Sequence, residues 1–491
     1  MTVKLCICFL AVTSFAVSPT KPQQYKPDWG SLKTHPNPTW FDDAKFGIYF
    51  HWGPYSVPEF GNEWYSRNMY RPDNRAYAHE LKIHGPLQSF GYKDLIPLFR
   101  AERFDPDKWA DLFVRAGARY AGPVAEHADG FSMWSSTVNP WNAAKMGPHR
   151  DVVGEMAIAI RKRNLKFIST FHHQWLWAWY PTFDKTLDTG NPKYSQLYGP
   201  PVSKAAWDYT NQNELIPDDA FCRTWEAKVK EVIDQYHPDL LYFDSRLGNI
   251  AEQYRKDFLA YYYNHSAAAK REVVVTYKDN GLEKGTAILD LERGRMADLT
   301  KFKWMTDDAM GWNSWSYVEG ESYKSPNRLI DELVDIVSKN GNLLLDVGPR
   351  ADGSIPEEVS ERLLDIGKWL EMNGQAIYGT RPWTTFGEGP TKVQGGTFGE
   401  KNIKDFTSQD IRFTRKSQVL YAILMDWPNG PVIIKSLAKG AIMPFGKQIR
   451  SVELLGSKAN VHWSQTAAGL SVQMPREKPG DYAFVLKISG S

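Results

Sequence analysis

Leu240-Leu241-Tyr242-Phe243-Asp244-Ser245-Arg246-Leu247-Gly248 is the stretch whose reading decides the fold. Four large apolar side chains in a row leave no polar face to alternate with, so the run reads as a strand buried on both sides, as in a parallel sheet covered by helices. Asp244 then stands at the carboxyl end of that strand, where the loops of an α/β barrel gather reactive groups. An aspartate capping the next helix is the competing reading.

Working outward, the pattern repeats. Phe46–Phe50 leads into His51-Trp52-Gly53, and Tyr120–Val124 leads into Glu126-His127-Ala128-Asp129. Leu165–Phe171 leads into His172-His173-Gln174-Trp175. Beyond Asp244, short apolar runs at Val273–Tyr277, Ala287–Leu291, Phe302–Met305 and Leu343–Val347 complete eight candidate strands. Amphipathic stretches at Pro106–Arg115, Asp151–Arg163, Phe221–Tyr236, Ala251–Ala268, Ser325–Lys339 and Pro356–Met372 read as the intervening helices, several other crossovers being unclear. Strand followed by helix about eight times predicts a (β/α)₈-like, TIM-type barrel with room for distortion. After Pro382-Trp383 the chain changes to short alternating runs such as Gln418–Leu424, Val432–Ile434 and Tyr482–Leu486, separated by Gly, Pro and Asn. That character predicts an antiparallel β-sandwich, packed on the barrel or making auxiliary sugar contacts. The expected division is an export signal over residues 1–18, the barrel over 19–385 and the sandwich over 386–491.

The export signal rests on Lys4, the apolar run Leu5–Val17 and the small residues Ser14, Ala16 and Ser18. It removes Cys6 and Cys8, leaving Cys222 without an intramolecular disulfide partner. One glycosylation sequon, Asn264-His265-Ser266, is present. The net charge of +2 points to no nucleic-acid or membrane partner. The 19 tryptophans, many beside His, Asp or Tyr, point instead to a carbohydrate, because aromatic faces stack on the C–H face of sugar rings.

Each strand end thus delivers polar cargo: His51, His127, His172 with His173, Asp244 and Glu292. Two carboxylates at one barrel mouth are what glycoside hydrolysis requires, with Glu283, Asp290, Asp298, Asp307 and Asp308 competing for the second role.

Several motifs appear in order: Trp40-Phe41-Asp42-Asp43-Ala44-Lys45-Phe46-Gly47-Ile48-Tyr49-Phe50-His51-Trp52-Gly53, Glu63-Trp64-Tyr65, Glu126-His127-Ala128-Asp129-Gly130-Phe131, Asn342-Leu343-Leu344-Leu345-Asp346-Val347-Gly348-Pro349, and Ala376-Ile377-Tyr378-Gly379-Thr380-Arg381-Pro382-Trp383. Over Trp40 to Trp383 the chain resembles the α-L-fucosidases of glycoside hydrolase family 29. The resemblance implies a retaining double displacement on terminal α-L-fucosyl linkages, with no cofactor and no metal. It implies that Asp244 is the nucleophile, although Ser245 stands where the family usually has glycine. It implies that the acid/base lies shortly upstream of a Trp-x-Thr motif, here Trp304-Met305-Thr306, which selects Glu292 over Glu283. His51, Glu63, Trp64 and His127 are implied to hold sugar hydroxyls. The family's usual second histidine is replaced by Ala128, so His172 or His173 is expected to supply that contact. Trp64, with one or more of Trp134, Trp175 and Trp177, is expected to stack on the sugar.

Two other classes fit some of the same residues. A metal-dependent barrel hydrolase would use His127, His172, His173 and Asp244 as ligands. A non-catalytic fucose-binding relative would account for Ala128 and Ser245.

Overall fold

A computed structural model describes residues 24–402, 404–446 and 448–490 of the chain. The expected export signal at residues 1–18 lies outside these. Eight parallel strands close a barrel in sequence order: β1 Phe46–Phe50, β2 Tyr120–Glu126, β3 Lys166–Phe171, β4 Leu240–Phe243, β5 Val274–Tyr277, β6 Ile288–Asp290, β7 Trp304–Ala309 and β8 Gly341–Val347, with β8 paired to β1. The helices are α1 Pro106–Arg115, α2 Val152–Lys162, α3 Asp219–Tyr236, α4 Glu252–Ala268, α5 Pro326–Ser338 and α6 Glu357–Asn373, with shorter ones in the loops. No helix separates β5 from β6 or β6 from β7, which is the distortion the sequence left room for.

The barrel interior is filled by Tyr49, Tyr120, Val124, Ile168, Leu240, Tyr242, Val274, Ile288, Met305 and Leu344, plugged at one end by Phe41 and Ala44 of the segment before β1. The size of Tyr120 dictates Gly47 beside it, where an added Cβ would fall 2.1 Å from the tyrosine ring. Asp218 caps α3 by accepting from Phe221 N, and Ser325 with Pro326 starts α5.

The remaining chain forms two antiparallel sheets, using β9 Arg381–Glu388, β10 Ile411–Lys416, β11 Val419–Leu424, β12 Val432–Ile434, β13 Ile449–Leu454, β14 His462–Thr466, β15 Gly469–Gln473 and β16 Phe484–Gly490. One sheet runs β13-β16-β11-β10-β9 and the other β12-β15-β14, with a shared core that includes Phe413, Leu420, Val472 and Leu486. The larger sheet begins at Arg381, ahead of the expected border between residues 385 and 386, because β9 pairs with β10. Its outer face sends Tyr421, Ile423 and Val485 into the same hydrophobic cluster as the barrel helices.

Cys222 is a free, buried thiol. The sequon sits in α4, where Asn264 Nδ2 already donates to Tyr25 O at 2.7 Å and Ser266 is buried, so the folded chain spends this amide on packing. No helix among the described residues is long and apolar enough to cross a membrane.

Candidate active site

The carboxyl ends of the strands converge on a cavity of about 260 Å³ lined by His51, Glu63, Trp64, His127, His172, Trp175, Asp244 and Glu292. Tyr49, Ser245, Lys278, Asp279, Asp307, Trp315, Thr397 and Phe398 complete its walls. Eight of the ten side chains picked from the sequence therefore meet in one hollow.

His173 and Trp134 do not. His172 enters the cavity directly after β3, while His173 opens a short 3₁₀ turn and faces α3. There it stacks on Trp225 and lines a separate cavity of about 330 Å³. Trp134 is fully buried, its indole N–H donating to Glu231 Oε2 at 2.8 Å. Trp177 likewise lies outside, bonded to Glu214 O.

At the centre is Lys278, directly after β5. Its ammonium reaches Asp244 Oδ1 at 3.1 Å, Glu292 Oε2 at 2.8 Å and Asp307 Oδ2 at 3.1 Å. Two oxygens held that closely by one nitrogen are at most about 6 Å apart, which is compatible with the roughly 5 to 5.5 Å of a retaining pair and shorter than the roughly 6.5 Å or more of an inverting one. Asp307 also accepts from the hydroxyls of Tyr49 at 2.9 Å and Tyr242 at 3.0 Å. Burial alone would raise Asp244, but the Lys278 charge and the His172 ring, 3.2 Å from Oδ2, outweigh it and hold the carboxyl well below the usual carboxylate range. Glu292 goes the other way. Burial, opposed by Lys278 and reinforced by the charges of Asp244 and Asp307, pushes it up to about 7. Two carboxyls on one ammonium thus have opposite protonation preferences, the pattern that separates a base from an acid.

Of the competing carboxylates, Glu283 pairs with Lys33 at the surface, Asp298 is exposed, and Asp308 is bonded to Lys324. Asp290 is buried and does not line the cavity, its carboxyl raised by burial and by the charge of Asp307. The loop bearing Glu292 is stapled by Thr306 of the Trp-x-Thr motif, whose hydroxyl lies against the carbonyls of Leu291 and, at 2.8 Å, Gly294.

Another part of the cavity wall is a histidine cluster. His51 Nδ1 faces Asp346 Oδ1 at 2.8 Å, which leaves Nε2 for the cavity. His127 Nδ1 and His172 Nε2 are buried with no protein partner among the described residues. Burial, with the neighbouring imidazoles, pushes His51 and His127 well below the ordinary histidine range and keeps them neutral. Ring nitrogens of His51, His127 and His172 lie within 4.8 Å of one another, close enough for one ion; the set keeps His127 and His172 of the expected metal ligands, adds His51, and includes neither His173 nor Asp244. Glu63 is fixed by the backbone N–H of Trp315 at 3.1 Å. Trp64 packs edge-on against Trp175 with ring centroids 5.3 Å apart, leaving an aromatic wall.

A family model described as alpha-L-fucosidase matches residues 12–375, and one described as the alpha-L-fucosidase C-terminal domain matches residues 403–489. The chain belongs to the alpha-L-fucosidase family. Among alpha-L-fucosidases, the tissue enzyme of Rattus norvegicus is 33% identical over 483 residues, covering 95% of this chain and 93% of its own. That of Homo sapiens is 32% identical over 501 residues, covering 99% and 96%. The solved alpha-fucosidase of Thermotoga maritima, in complex with fucose, has a TM-score of 0.75 at 30% identity over 94% of this chain and 99% of its own. This alpha-L-fucosidase family member is accordingly a glycoside hydrolase with a barrel and a C-terminal sandwich.

Lys278, Asp307 and Trp315, with Tyr49 and Asp279, are the barrel residues lining the site that sequence reasoning left out or left among competitors. Lys278 has the same signal as the others, a polar residue directly after an apolar run. Thr397 and Phe398 have none, since they come from beyond the barrel.

Proposed function

We propose that the chain is a retaining, exo-acting α-L-fucosidase that removes terminal α-L-fucosyl groups from glycans, with Asp244 as nucleophile and Glu292 as general acid/base. The observation that carries this reading is the shared grip of Lys278 on two carboxyls whose proton affinities are driven apart. In the first half-reaction an Asp244 oxygen attacks the anomeric carbon while the glycosidic C–O bond breaks and the Glu292 proton passes to the leaving oxygen. In the second, water attacks the same carbon, gives its proton to Glu292 and releases Asp244, regenerating both groups.

Neutral His51 and His127, together with His172, offer ring nitrogens to sugar hydroxyls, and Glu63 adds a carboxylate; His172, rather than His173, fills the role expected at Ala128. The aromatic wall of Trp64 and Trp175 faces the apolar side of the sugar, including its methyl group. The enclosed cavity has room for one ring, which favours terminal residues. We also propose that residues 1–18, with Lys4 ahead of an apolar run, direct export.

Azide rescue tests the two roles separately. Asp244→Ala should lose nearly all turnover, and azide, entering the nucleophile's place, should return a fucosyl azide of inverted configuration. Glu292→Ala should keep activity only on substrates with good leaving groups, and azide should accelerate it with retained configuration. Full activity of Glu292→Ala on a glycan linkage would remove Glu292 from the mechanism.

A further inference from the structure

We infer that Phe398, carried back to the barrel mouth from between β9 and β10, is the platform for the sugar that leaves, so that the C-terminal part of the chain sets the preference for fucose linked to another sugar over fucose on a small alcohol. The inference rests on the reading of Glu292 as the acid. An acid must stand within hydrogen-bonding reach of the oxygen it protonates, so the leaving group lies on the Glu292 side of the cavity. That is where Phe398 stands. Its backbone N–H donates to Glu292 O at 2.8 Å, and the flanking chain is fixed by Gly396 N to Arg295 O at 3.0 Å, Arg295 N to Gly396 O at 3.2 Å and Glu400 N to Arg293 O at 3.2 Å. Four main-chain bonds to the acid's own loop make this a built junction.

Two features of the ring itself point to a ligand. Phe398 is 62% exposed although it lines the same cavity as Asp244 and Glu292, whereas Trp64, Trp175 and Trp315 in that wall are partly buried. Its φ of +53° places a bulky side chain in the left-handed region, a conformation that persists only where the surroundings impose it. A cavity with room for one sugar forces the next one to the rim, and an exposed aromatic face there takes the C–H face of a pyranose by stacking.

The test compares kcat/KM for a fucosyl disaccharide with that for methyl α-L-fucoside. Both substrates need a proton on the leaving oxygen, but only the disaccharide has a second ring to stack. In Phe398→Ala the disaccharide-to-methyl ratio should fall about tenfold, the scale of one lost aromatic contact, and Phe398→Tyr should restore it. If both substrates lose activity in proportion, Phe398 merely braces the Glu292 loop and the platform is overturned. If the unaltered protein turns over neither substrate nor any other α-L-fucoside, the fucosidase reading fails, and this inference fails with it.

Discussion

Lys278 sets the chemistry at the scale of single residues. Fully enclosed, and held charged by Asp307, Glu292 and Asp244 against the cost of burial, it lowers the proton affinity of both Asp244 and Glu292. The difference between the two carboxyls comes from what else each one touches. Asp244 has the His172 ring and a backbone N–H, while Glu292 has little beyond Lys278 and feels the charge of Asp244. With Asp244 ionised and Glu292 protonated as the working form, activity should fall above about pH 7 as Glu292 loses its proton. Removing the ammonium in Lys278→Met takes away the positive charge that lowers both groups, so both should rise. Both limbs of the pH profile of kcat/KM are therefore expected to move to higher pH, by roughly one unit or more given what an opposite charge at this distance does to a carboxyl. Unmoved limbs would show that Lys278 does not tune the pair.

The element that places Glu292 is the turn after β6, gripped from two directions. Thr306 on β7 holds the carbonyls of Leu291 and Gly294 from one side, and the segment around Gly396 and Phe398 pairs with it from the other. Gly294 makes that pairing possible, since an added Cβ would come 1.9 Å from Gly396 O, a backbone atom with no freedom to swing aside. Gly294→Ala should push the two segments apart, cost roughly 1 to 3 kcal/mol of stability in denaturant titration, and move Glu292. A displacement near 1 Å can cost on the order of 100-fold in rate. The loss should be largest on glycan linkages and small on an aryl fucoside whose leaving group needs no proton; equal losses on both would place the damage elsewhere.

At this scale the sequence was legible wherever one run of residues fixed its own environment. The apolar runs ending in His51, His127, His172, Asp244 and Glu292 were readable because a polar group that directly follows a buried run stands out in the local pattern. His173 carries the same local signal and Trp134 the aromatic character of the cavity wall, but which way such a side chain turns depends on the neighbouring helix, and Trp225 and Glu231 of α3 took them. Thr397 and Phe398 reach the site only because β9 and β10 dock on α5, a tertiary event with no trace in local pattern.

That docking is the organising feature of the whole molecule. α5 lies between barrel and sandwich with Arg328 through Ser338 all buried, a position that would be costly for its charges were they unpaired. Asp335 instead meets Lys339 at 2.8 Å, Arg412 of β10 at 2.6 Å and Arg295 of the Glu292-bearing turn at 3.6 Å, while Glu332 meets Arg295 and Arg328 at 3.0 Å. One buried network therefore joins helix, sheet and active-site turn. Burial opposes their ionisation, but Lys324, Arg295 and Arg328 hold Glu332, and Lys339, Arg412 and Arg295 hold Asp335, below the ordinary carboxylate range. A folded-state pKa below the unfolded one contributes stability that is present above the unfolded value, near 4, and is lost as pH falls toward the folded value. Arg412→Ala leaves Asp335 buried with one cation fewer, at a cost of about 3 kcal/mol at pH 7. Because Asp335 then ionises less readily, the variant should also lose less stability than the parent on going from pH 5 to pH 3. Tryptophan fluorescence and circular dichroism should report one shared transition in the parent, since Tyr421, Ile423 and Val485 of the sandwich sit in the barrel's own hydrophobic cluster. Two separated transitions in the parent, or an Arg412→Ala variant as stable as the parent at pH 7, would mean that the sandwich is held by its apolar face alone.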